Sequence, residues 1–225
     1  MTSAQLHVTK LAAAQRQLRA AIRMFFVGED ALAIHTVASA AYHILSDLKV
    51  ERGRDEVGDN YLTAIFYCVR DYRRGTLPSY LTEDSEAMKW IKDLAEQVPI
   101  TVDSSFKDIR ASVPPDVAKK YWSKRNKISN FLKHADRDAK SHIIFDEVDN
   151  LDLLMHAQSA YIDIGSSGDL GKEGFMLWVY HSVTYGMSEG LPDKYKHIAE
   201  KLEKLSPDER LSLCSYMVRG LSVMP

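Results

Sequence analysis

Cysteine is scarce in this chain: there are two, Cys68 and Cys214. Neither has a CxxC partner or belongs to a Cys/His cluster, which excludes a disulfide framework and a thiolate zinc site. Cys68 sits in "AIFYCVRDY" with no base nearby in sequence. Both thiols therefore read as reduced groups buried in apolar helices rather than as nucleophiles. Long apolar runs are missing as well; none approaches the roughly 18 residues that span a bilayer. The opening "MTSAQLHVTKL" leads into an apolar stretch broken by Arg16, Arg19 and Arg23, which is not the pattern of a signal peptide. A cytoplasmic protein with no membrane contact is expected. Neither sign of charge dominates, since the formal net charge is −2. The whole molecule thus lacks the field of a nucleic-acid binder, while a local basic patch stays open. Dinucleotide and Walker glycine loops, nucleophile triads and paired Glu-x-x-His motifs are absent too. So are internal repeats and domain-sized linkers.

What is present is helical period. Leu11, Ala14, Leu18, Ile22 and Phe25 recur at three and four residues, with Thr2 or Ser3 as a possible cap and Gly28 as the stop. Arg16, Arg19 and Arg23 fall on another face, most simply a solvated one. A second helix is predicted over about 30–50, joined by the short "VGED" and so antiparallel to the first. Further helices are predicted in "NYLTAIFYCVRDYRRG", "EDSEAMKWIKDLAEQV", "DVAKKYWSKRNKISNFLKHA", "NLDLLMHAQSAYIDIG", "EGFMLWVYHSVTYGM", "LPDKYKHIAEKLEKL" and "SPDERLSLCSYMVRGL". "TLPSYL" reads as irregular, and "SHIIFDEV" as the only plausible strand. The fold expected is an all-α multi-helix bundle built from antiparallel hairpins. Residues 1–190 are expected to form one domain, with 191–225 a helical hairpin packed on it.

The densest polar stretch is "SNFLKHADRD" at 129–138. At about 100° per residue, Asn126, Asn130 and His134 follow one another along one face, with Lys133 at its edge and Arg137 joining if the helix continues. The apolar stripe of Val117, Tyr121, Ile128, Phe131, Leu132 and Ala135 points the other way. One reading is a solvated helix face, with His134 near the C-terminal dipole and Asp136 and Asp138 as turn residues. His134, Asp136 and Asp138 are too few, with no second donor cluster, to argue for a metal, and no metal or cofactor is expected.

The other reading rests on a resemblance. The pattern N-F-x-K-H-A-D-R-D, together with "AIRMFF" and "EDALAIHTVASAAYHIL" upstream, resembles a group of uncharacterised bacterial all-helical proteins over most of residues 10–187. Asn130 and His134 are also similar to the HEPN signature, R-N-x-x-x-H, with Ser129 where that signature has Arg. The resemblance implies a HEPN-like bundle and a homodimer with its motifs face to face. It also implies RNA or nucleotide as partner and, if there is catalysis, a metal-independent ribonuclease. His134 would then be the general acid/base, Asn130 its companion and Arg137 the cation replacing the missing Arg. Lys133, Asn126, Asp136 and Asp138 are the candidate binding residues around them. His35 is a further candidate from the polar line His35, Ser39, Tyr42 and Ser46 on the second helix, a line that reads equally as buried hydrogen-bonded packing. The alternative is a non-catalytic structural or protein-interaction module whose polar motif only stabilises a helix end.

Overall fold

Thr9 starts the first helix: its hydroxyl accepts from the Ala12 N–H at 3.1 Å. The computed structural model describes residues 7–51, 60–77, 79–105, 115–133, 140–164 and 170–219. Thr2 and Ser3, expected as caps, lie outside the described residues. Helix α1 (Lys10–Val27) ends at Gly28, whose φ of 76° is the left-handed conformation that glycine adopts without strain. The Glu29 N–H then reaches back to the Met24 carbonyl at 3.0 Å, closing the helix end. Asp30 follows at once and caps α2 (Ala31–Glu51) through the Ala33 N–H at 2.9 Å. A three-residue joint with both caps built in turns the chain back on itself.

The chain divides into two compact units, one of residues 1–53 with 138–225 and one of 54–137. In the first, α1 is central. It packs on α2, α7 (Val148–Asp163), α8 (Gly171–Thr184) and α10 (Pro207–Arg219), while α9 (Asp193–Glu203) lies on α8. The small residues Ala14 and Ala21 on α1 and Ala38 and Ala41 on α2 are fully buried, which lets these backbones approach closely. Leu18, Ile22, Leu45, Leu154 and Leu177 fill the core between them. Of the hairpin expected at 191–225, α9 rests on α8 and α10 on α1 and α8, all within this unit. The hairpin's turn is held by the Ser206 N–H and hydroxyl, both donating to Glu209 Oε2 at 2.9 and 2.8 Å.

The second unit contains α3 (Asn60–Arg74), α4 (Ser79–Thr82), α5 (Ser85–Gln97) and α6 (Pro115–Lys133). Phe66 and Val69 of α3 pack with Ala95 of α5 and with Val98 and Ile100 beyond it. Arg73 and Arg74, at the end of α3, donate to the Ala95 and Val102 carbonyls, so the basic last turn also fastens the neighbouring helix end. Pro115 opens α6, where its missing N–H costs nothing.

Two sequence expectations change. "TLPSYL" holds the single helical turn α4. "SHIIFDEV" is not a strand; residues 141–146 are irregular, and no strand occurs among the described residues. Ile144 is 96 % exposed, so its β-branched side chain has nothing to pair with. The end of the segment starts a helix instead: Asp146 Oδ1 accepts the Val148 N–H at 3.1 Å, and α7 begins there. No helix among the described residues is long and apolar enough to cross a membrane.

Candidate functional site

Helix α6 carries an unequal charge. Its sequence holds Lys119, Lys120, Lys124, Arg125, Lys127 and Lys133 against one carboxylate, Asp116, in a chain whose net charge is −2. The exposed residues of α6 include Lys119, Ser123, Lys127, Asn130 and Lys133, with Asn126 half-buried among them. On a wheel these six lie within an arc of about 120°. Ile128 and Ser129 are buried, and Phe131 and Leu132 half-buried, on the remaining sides. An amide pair one helical turn apart is thus flanked by three ammonium groups with water access. His134, Asp136, Arg137 and Asp138, named from the sequence as partners of this face, lie outside the described residues.

Ser129 immediately precedes Asn130 on α6. It is 3 % exposed, so this position turns a small side chain inward instead of presenting a cation beside Asn130.

His35 belongs to the first unit. It is buried on α2, with Nδ1 3.1 Å from Asn150 Oδ1. Asn150 in turn donates from Nδ2 to the Ala31 carbonyl at 2.9 Å. Phe145 meets the imidazole edge-on, with centroids 5.5 Å apart. The histidine and the amide therefore lock the start of α2 to the start of α7. Ser39 and Tyr42, on the same polar line, are also buried. Asn150 carries no signal of this role in the sequence, because a lone Asn at a predicted helix start looks like a cap.

Two further polar clusters escape sequence reading. Arg19 and Arg23 do not form a merely solvated face: Arg19 Nη2 lies 3.1 Å from both oxygens of Glu173, and Arg23 Nη1 2.6 Å from Oε1. Arg16 is exposed in the expected way. Desolvation pushes the Glu173 carboxyl upward. Its own backbone N–H and the two guanidiniums outweigh that, and the group ends below the usual glutamate range. The other cluster joins α7 to the end of α8. Tyr185 donates to Asp152 Oδ1 at 2.9 Å, and His181 Nε2 stands 4.0 Å from the same oxygen. Burial lowers the His181 pKa against the opposing pull of Asp152. Burial, then the bond to Asp152, raises that of Tyr185. The one available signal was spacing: His181 and Tyr185 are four residues apart, one turn of helix. Cys214 is buried and its thiol is pushed up to about 12, which keeps it from nucleophilic use. Cys68 is only half-buried, and burial followed by Asp71 raises it too.

No protein-family model matches this chain, and neither a curated protein nor a solved structure shows significant similarity to it.

Proposed function

We propose that this protein binds RNA or a nucleotide through the polar face of α6, centred on Asn130 and His134. One observation supports the reading above the others: Asn130 and Lys133 are open to solvent beside Asn126 on a helix with six cationic side chains and one carboxylate. Ammonium groups bind phosphate oxygens by charge-assisted hydrogen bonds, and an amide offers both a donor and an acceptor beside them. In this reading His134 supplies an imidazole and Arg137 a cation beside the amides, with Asp136 and Asp138 as further polar contacts. A homodimer with the two faces opposed would double the cations around one phosphate. His35 is engaged with Asn150 in the first unit and has no part in the reading.

The burial of Ser129 favours binding without cleavage. A HEPN-type ribonuclease uses a cation at that position to stabilise charge on the scissile phosphate, and here the position faces inward. Metal-independent cleavage would require Arg137 to act in its place, with His134 as acid/base. The competing reading is a non-catalytic structural or protein-interaction module in which the motif only ties off a helix end.

Anisotropy titrations with a short single-stranded RNA and with UMP, and incubation with total RNA, compare the wild type with Asn130→Ala and His134→Ala. Each substitution is expected to weaken binding about tenfold, the worth of one lost polar contact to a charged group. If both variants bind as the wild type does, and the protein is monomeric at micromolar concentration, the structural module is the better account.

A further inference from the structure

The α6 face is longer than the Asn130 site needs. Lys119 stands 14 residues before Lys133, a distance of about 21 Å along the helix axis. Lys127 lies between them, and all three are exposed. A mononucleotide can meet one end of such a row, but not all of it. Between the ammonium groups sit the amides of Asn126 and Asn130, whose Cβ atoms are about 5–6 Å apart at this spacing. From Val117 to Lys133 no carboxylate interrupts the row.

We infer that the occupant of this face is an extended strand of single-stranded RNA lying along α6. Its phosphates would meet Lys119, Lys127 and Lys133, and its ribose 2′-hydroxyls would meet Asn126 and Asn130. This rests on the proposed function and narrows it from RNA or nucleotide to a strand. Charge sets the partner: three ammonium groups in a row match a repeating monoanion better than a single phosphate group. The amides set the sugar. A 2′-hydroxyl both donates and accepts, as an asparagine side chain does, and DNA has no such group.

Three phosphate contacts on a single strand give a salt slope of about −2 in log affinity against log salt. Affinity should therefore fall roughly 20-fold between about 50 and about 200 mM salt. The test titrates the full-length protein with a U-rich RNA of about 12 nucleotides, DNA of the same length, and UMP. It compares the wild type, Asn130→Ala, and the triple variants in which Lys119, Lys127 and Lys133 become Gln or Arg. All three lysines are exposed, so the variants are expected to fold, and circular dichroism checks this.

The inference predicts three results together. RNA binds several-fold more tightly than DNA and far more tightly than UMP. The triple Gln variant loses at least about tenfold in RNA affinity at low salt and nearly all of the slope, while the triple Arg variant keeps both. Asn130→Ala reduces the preference for RNA over DNA. If UMP binds as tightly as the strand and the triple Gln variant is unaffected, the strand inference is overturned and the Asn130 site survives. If DNA binds as tightly as RNA, the assignment to RNA fails. Should neither RNA nor UMP bind, both readings fall.

Discussion

Glu173 is the carboxylate on which two helices depend. Its side chain is 6 % exposed and faces two arginines whose side chains are 43 % and 46 % exposed. A buried charge of this kind is costly once its partners are gone, and the partners lose less because water reaches them. Replacing both partners (Arg19→Gln with Arg23→Gln) should therefore lower stability by about 2 kcal/mol in urea denaturation, with Glu173→Gln, which strands only water-exposed cations, milder. The pH dependence has a definite sign. The folded-state pKa lies below the unfolded value of about 4.3, so the stabilisation is fully present above that value. It is lost as pH falls through the folded pKa. Between about pH 5 and pH 3 the wild type should lose more stability than Glu173→Gln; equal losses would mean that the carboxylate contributes nothing through its charge. None of this is visible in the residue string. Arg19 and Arg23 are four apart on a polar face, and such residues usually face water. Their partner lies about 150 positions away, and helical period says nothing about which distant carboxylate a face will meet. His35 was open to the same ambiguity, resolved by Asn150 on another helix.

At the scale of the helix, caps and stripes were readable because each is local. Gly28 and Gly75 end their helices in the left-handed conformation, and Ser206 with Pro207 starts the last one. The failure at "SHIIFDEV" has a physical source as well: strand propensity needs a neighbouring strand, and Ile143 and Ile144 have none among the described residues. Gly174 is a less obvious case. It lies near the start of α8 and is buried. A Cβ at this position would stand 2.6 Å from Leu170 Cβ and 3.2 Å from Gln158 Oε1. Alanine in a helix normally gains up to about 1 kcal/mol over glycine. Here the clash with a neighbouring Cβ, which cannot swing aside, should outweigh it. We expect Gly174→Ala to destabilise by about 1–2 kcal/mol, measured as the shift of the urea midpoint. A stabilised variant would show that the start of α8 yields without cost.

For the whole molecule, the all-helical class was legible because helical period runs through nearly every segment, whereas the division into two units was not. A unit inserted into another needs only two short crossings and no long linker, so "ERGRDEVGDN" looks like any polar loop. The two units differ in what they bury. The first has 141 residues, with six helices around its core, and the second 84, with Ile65, Phe66, Val69, Ile91, Ala95, Val98, Ile100 and Ile128 buried among its described residues. A smaller core buries less apolar surface and tolerates less denaturant. Tryptophan placement allows each unit to be followed alone. Trp178 lies in the first unit, against Tyr195 at 5.9 Å between centroids, and Trp90 and Trp122 lie in the second. Trp178→Phe leaves fluorescence to the second unit, and the Trp90→Phe/Trp122→Phe double variant leaves it to the first. Urea titrations of the two variants should give separate transitions, with the 54–137 unit melting at the lower concentration and with the smaller slope. A circular-dichroism trace of the wild type should then spread across both. Coincident transitions in all three proteins would mean that the chain unfolds as one cooperative body despite its two cores.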